Sequence, residues 1–120
     1  MNIRQIVEIL KAEVLTGEDD MEKEVKYAFG ADLMSDVLAF VNEKTVLLTG
    51  LTNPQVIRTA EMIDISAIVY VRGKKPDDAS IMLAKENNIT LLRTSFTLYT
   101  TSGLLYSAGL QGIDVLGVIK

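Results

Sequence analysis

Three short stretches of this sequence combine residue types suited to holding an anion. Gly50-Leu51-Thr52-Asn53, Arg72-Gly73-Lys74-Lys75 and Arg93-Thr94-Ser95-Phe96-Thr97 each follow an apolar run and precede a helical pattern. Arg72, Lys74, Lys75 and Arg93 bring formal positive charge. A helix starting just after each stretch adds unpaired amide hydrogens and a partial positive charge. Glycine at 50 and 73 lets the backbone come close to a bound group, and a hydroxyl from Thr94, Ser95 or Thr97 suits a phosphate oxygen. The matching ligand is a phosphate-bearing metabolite or a nucleotide, an adenine nucleotide among them. The candidate set is Gly50, Leu51, Thr52, Asn53, Arg72, Gly73, Lys74, Lys75, Thr94, Ser95 and Thr97. The plainer alternative is that Lys74-Lys75 solubilises an exposed turn and the two glycines only satisfy turn geometry.

Other chemistries are closed off by what the chain lacks. There is no Cys and no His, which removes disulfides, thiolate nucleophiles, and the commonest general base and zinc ligand. Gly73-Lys74 is followed by Lys75 where a phosphate-binding P-loop needs Ser or Thr, and Ile68 stands where its leading glycine belongs. No G-x-G-x-x-G run marks a dinucleotide fold. The hydroxyl-rich run from Thr94 to Ser102 has no base beside it, so those hydroxyls are expected to cap a helix and line a groove. Acid–base catalysis would fall to Asp32, Asp36 and Asp77, the only plausible carboxylates; Asp32 and Asp36 are expected one turn apart on a helix, where capping and solvation explain them more simply. Glu18-Asp19-Asp20 lacks the spacing of a calcium loop. No catalytic residue, metal or cofactor is expected.

A net charge of -4 and a pI near 4.8 argue against nucleic acid, because the only basic cluster is Arg72/Lys74/Lys75. The amino terminus has no apolar signal-peptide core, and no apolar run approaches a membrane span. A cytoplasmic location is expected. A mean hydropathy of +0.25 points either to apolar surface reserved for a partner, self-association being the simplest case, or to the continuous apolar strands of a parallel sheet.

The elements that must position these residues follow from periodicity. Asn2 caps a helix with Ile3, Ile6, Val7 and Leu10 on one face, ending near Ala12. Glu13 to Thr16 reads as a short strand stopped by Gly17. Val25, Tyr27 and Phe29 alternate as a strand, and Asp32 is expected to cap a helix running to about Glu43. Strand Thr45 to Thr49 leads to helix Pro54 to Met62, and strand Ala67 to Val71 leads to a helix from about Asp77 to Asn87. Pro54 and Pro76 are placed in first helical turns. Strand Ile89 to Leu92, a helix from about Leu98 to Ala108 and a last strand from Ile113 to Ile119 complete the chain. Strands joined by covering helices run parallel. The expected fold is α/β, one domain over residues 1–120, with a mostly parallel sheet of about five to six strands flanked by helices.

The order of these parts, and the loops themselves, resemble the DRTGG domain family from about Ala12 to Leu110. Leu51-Thr52 stands where the family's Asp-Arg lies; Val71-Arg72-Gly73 stands for Thr-Gly-Gly, keeping the last glycine and the following Pro76. Thr97-Leu98-Tyr99 takes the place of a common Asp-Thr-Phe. The resemblance implies a fold like the amino-terminal domain of HPr kinase, pairing as a homodimer, and a regulatory or scaffolding role beside other domains. It also implies a signalling or accessory context, with a redox or histidine-kinase-like protein as partner. Together these readings describe a non-catalytic regulatory homodimer that senses a small anionic metabolite or nucleotide at the carboxyl edge of its sheet. The alternative is an interaction module with no ligand.

Overall fold

The computed structural model describes residues 1–41 and 44–114. Its strands are β1 Glu13–Thr16, β2 Tyr27–Gly30, β3 Thr45–Thr49, β4 Ala67–Tyr70, β5 Thr90–Arg93 and β6 Gln111–Gly112, and its helices α1 Ile3–Leu10, α2 Met34–Phe40, α3 Pro54–Met62, α4 Asp78–Glu86 and α5 Leu98–Ser107. The strands form one sheet in the order β1-β5-β4-β3-β2-β6. Every residue of β3 and β4 is buried, which is why both read as unbroken apolar runs.

Two cores form on opposite faces of the sheet. Leu47, Ile68, Tyr70 and Leu91 pack under Met34 and Val37 of α2, Val56, Ile57 and Ala60 of α3, and Ala84 of α4. Val46, Leu48, Ala67, Val69 and Leu92 pack under Ile3, Ile6 and Leu10 of α1 and Leu105 of α5. The alternation along each strand assigns its side chains to one core or the other. Truncating a fully buried residue such as Leu47 to Ala removes about 2–5 kcal/mol.

The sheet is mostly parallel, with one exception: β1 runs antiparallel to β5 along one edge. An antiparallel β1 ends at the edge where β2 begins, so no covering helix is needed between them. The link instead runs under α1, where Lys23 and Met21 carbonyls accept from the amides of Ile3 and Arg4.

Several element boundaries depart from the periodicity. Val25 precedes β2 and is not part of it. Leu33, not Asp32, precedes the first turn of α2, and that helix ends at Phe40; the expected extension to Glu43 runs into residues 42–43, outside the described residues. Pro76 lies before the α4 N-cap Asp77 and so outside the first turn. The final strand is Gln111–Gly112, pairing with Tyr27 and Ala28. Residues 113 and 114 are not strand, and 115–119 lie outside the described residues.

Candidate functional site

β2 to β5 pair in parallel register, with Gly30 beside Leu48, Thr49 beside Tyr70, and Tyr70 beside Arg93. The segments that follow residues 30, 49, 70 and 93 therefore open along one rim, as the strand–helix rhythm required. The chain reverses at β5: α4 covers one face and α5 the other. Open α/β sheets place their ligand crevice between two such strands, here between the Arg72 and Ser95 segments.

That crevice is stitched shut by backbone. Arg72 N donates to Phe96 O (2.8 Å) and Gly73 N to Thr94 O (2.8 Å). The Arg93 guanidinium reaches back to Gly73 O (3.0 Å) and pairs with Glu13 (3.2 Å), so its charge is used within the fold. Thr94 is buried and its hydroxyl donates to Leu10 O (2.8 Å). It points into the protein and does not line a groove. Ser102, likewise, bonds its own helix at Leu98 O.

The Gly50 segment is fastened by a residue the sequence had placed elsewhere. Asp32, at the fourth rim segment, accepts from Thr49 Oγ1 (2.8 Å) and Gly50 N (2.9 Å), and Leu51 N donates to Thr49 Oγ1 (3.1 Å). Hence neither candidate glycine offers its amide to an anion: Gly50 gives it to Asp32 and Gly73 to Thr94. Gly50 serves instead by having no side chain. A Cβ there would sit 2.6 Å from Arg72 Nη2 and 3.3 Å from Nε, so the guanidinium lies across the glycine, joining two rim segments. Arg72 (φ 60°) and Gly73 (φ 67°) carry the positive φ pair of a type I′ turn, closed by Lys74 N to Val71 O (3.2 Å). A left-handed non-glycine backbone costs about 1–3 kcal/mol, and such strain gathers at functional sites.

Among the described residues, Arg72, Lys74 and Lys75 have no carboxylate within ion-pairing distance. Arg72, Lys74, Lys75, Asn53, Ser95 and Thr97 are exposed, whereas Leu51 and Thr52 are half-buried. Asn53 caps α3 by accepting from Gln55 N (3.0 Å), and Asp77 caps α4 by accepting from Ser80 N (2.8 Å). That amide bond holds the Asp77 carboxyl below its usual range. Thr97 precedes α5 without a side-chain bond to its first-turn amides, contrary to the expected cap; its hydroxyl meets Thr100 Oγ1 at 3.4 Å. Beneath the rim, the buried Tyr70 hydroxyl has no hydrogen-bond partner among the described residues. Burial first, and the nearby Asp77 charge second, make it a weaker acid than an ordinary phenol.

The carboxylates weighed for acid–base work are otherwise occupied or apart: Asp32 fastens the Gly50 segment, Asp77 caps α4, and Asp36 lies exposed in the first turn of α2. Asp32 was missed as a rim residue because it was assigned to a helix cap. The signal was present, since β2 is parallel to β3 and its following segment must emerge at the same edge. Among the described residues, no group of three or more acidic residues could hold a metal ion, and no helix is long and apolar enough to cross a membrane.

A comparison of the sequence with curated proteins finds no match. Among solved structures, the chain is similar to the CBS and DRTGG domains of the regulatory region of Clostridium perfringens pyrophosphatase, complexed with its activator diadenosine tetraphosphate. The TM-score is 0.71 at 21% identity, and the match covers 96% of this chain and 52% of that one. This chain thus spans about half the length of that structure, and the likeness is one of fold. The model of the DRTGG domain family matches residues 5–108. The chain belongs to the DRTGG domain family.

Proposed function

We propose that this chain is a regulatory module that binds a small polyanion, a nucleotide or phosphorylated metabolite, at Arg72 with Lys74 and Lys75, and passes its occupancy to a partner protein. The observation carrying this reading is Arg72: an arginine in a strained left-handed turn, its guanidinium across Gly50 and without an acidic partner among the described residues. Arginine there is costly where Asn-Gly would be cheap, and a guanidinium is well matched to phosphate oxygens. Leu51, Thr52 and Asn53 border it across Gly50, and Ser95 and Thr97 across the Phe96 bond. The activator of the similar pyrophosphatase region supplies the first probe. No acid–base chemistry is assigned to the chain.

Calorimetry with diadenosine tetraphosphate, ATP, AMP and inorganic phosphate tests the reading on wild type and Arg72→Ala/Lys74→Ala. Saturable binding lost in the double variant supports it. A ligand at about a hundredfold excess over its dissociation constant also stabilises the fold by about 2.7 kcal/mol. Equal heats and equal melting temperatures in both proteins would remove the site. The second reading, an interaction module without a ligand, draws on the commitment of the Gly50 and Gly73 amides to Asp32 and Thr94. It predicts no heat with any of the four probes.

A further inference from the structure

We infer that Tyr99 is the platform on which the base of a nucleotide stacks while its phosphates lie against Arg72, so that the rim selects a nucleotide over a phosphorylated metabolite without an aromatic ring. The inference rests on the proposed anion site and names the class of ligand that fits it. Tyr99 is the most exposed aromatic residue among the described residues, at 89%, and it stands in the first turn of α5. The segment leading to it crosses the rim. Thr94 N donates to Tyr70 O (2.9 Å) at the end of β4, Phe96 O accepts from Arg72 N (2.8 Å), and a Cβ on Gly30 would lie 3.3 Å from Leu98 Cδ1. The chain has thus passed from β5 over β4 and β3 to the end of β2 as α5 begins. Arg72 reaches to the same side, because its guanidinium lies across Gly50 at the end of β3. Tyr99 and that guanidinium therefore flank the ends of two neighbouring strands.

Direction, shape and charge suit this ring to a base. A helical side chain leans over the turn that precedes it, which carries the Tyr99 ring toward the rim. The residues one turn further on leave the ring bare. Ser102 turns its hydroxyl back to Leu98 O (2.8 Å), and Gly103, at the spacing where a larger side chain would pack on a tyrosine, has none. Tyr99 and Gly103 instead border a shallow, mainly apolar concavity of about 570 Å³. From Thr94 to Ile113 the sequence has no Asp, Glu, Lys or Arg, whereas Asp32, two residues beyond Gly30, holds a carboxylate on the β2 side of the rim. A phosphate is repelled by Asp32 and drawn to Arg72, Lys74 and Lys75, so the group that belongs beside Tyr99 is flat and uncharged. A nucleotide carries both kinds of group at its two ends, and bases stack on aromatic side chains.

Calorimetry with ATP and with tripolyphosphate, which has the phosphates and no base, tests the inference on wild type and four variants. Tyr99→Ala is expected to weaken ATP about 5- to 150-fold and to leave tripolyphosphate unchanged. Tyr99→Phe keeps the ring and should keep the ATP affinity. Tyr106→Ala removes an exposed tyrosine about 10 Å further along α5 and should alter neither probe. Far-UV circular dichroism should be the same for all of these proteins, since neither tyrosine is part of the core. The inference is overturned by ATP binding that Tyr99→Ala leaves intact, by an equal loss of both probes in that variant, or by a loss that Tyr106→Ala reproduces. Arg72→Ala separates it from the reading on which it rests. Tripolyphosphate binding that disappears in Arg72→Ala, with ATP indifferent to Tyr99→Ala, removes the base platform alone; a wild type that binds neither probe removes the anion site and the platform together.

Discussion

Gly50→Ala separates what the rim does for stability from what it does for binding. The added methyl would lie 2.6 Å from Arg72 Nη2, too close for both to stay. The yielding group is the guanidinium, because it ends a flexible, exposed side chain, whereas the Gly50 backbone is held by Asp32. Gly50 does not have a positive φ, so alanine adopts its backbone without strain. Replacing glycine at such a position stabilises a protein by about 0.4–1 kcal/mol through the unfolded chain. Urea denaturation should therefore show unchanged or slightly raised stability. The displaced guanidinium no longer sits between the Gly50 and Arg72 segments, and a charge-assisted bond to a phosphate is worth about 1.5–3 kcal/mol. Affinity for the anionic probe should fall roughly 10- to 150-fold. A loss of stability well above 1 kcal/mol would mean that Arg72 is a packing residue. Undiminished binding would mean that the guanidinium is not the ligand contact.

Other perturbations probe the scaffold. Tyr70→Phe deletes a buried hydroxyl that has no hydrogen-bond partner among the described residues and should raise stability by about 1–2 kcal/mol in urea; a decrease would show that the hydroxyl is satisfied in solution. Thr94→Val orphans the buried Leu10 carbonyl and should cost about 1–3 kcal/mol, scored by the same denaturation. Asp77 is held below its usual pKa by the Ser80 amide, so its contribution is complete above the unfolded carboxyl value and fades as pH falls through the lower folded value. Asp77→Asn keeps a cap and should flatten that part of the acid-unfolding profile; an unchanged profile contradicts the assignment. Gly17→Ala would put a Cβ 2.9 Å from the Thr90 backbone at φ 85° and should lower the melting temperature by many degrees, with no effect on anion binding.

How much the sequence revealed depended on whether a rule was local. β3 and α3 matched their expected bounds, because an apolar run, a turn and Asn53-Pro54 are consecutive signals. The gathering of the Gly50, Arg72 and Ser95 segments on one rim also followed, since parallel strands leave no other arrangement. What stayed hidden were pairings over distance. Asp32 has the composition of a helix cap, yet its carboxylate is taken by Thr49 and Gly50 across the sheet. Thr94 looks like a groove hydroxyl until α1 brings the Leu10 carbonyl to it. Arg93 looked like free charge until antiparallel β1 brought up Glu13. Gly50 reads from the sequence as a place for close backbone approach to a ligand; in the structure it leaves room for the Arg72 guanidinium, and its amide goes to Asp32.

Amide chemical shifts recorded while diadenosine tetraphosphate is added to the ¹⁵N-labelled chain give the sharpest test of the rim. The largest changes should fall on residues 50–53 and 72–75, weaken with added salt, and vanish in Arg72→Ala. Changes centred on any other part of the molecule, or a titration identical in wild type and Arg72→Ala, would contradict an anion site built on that arginine.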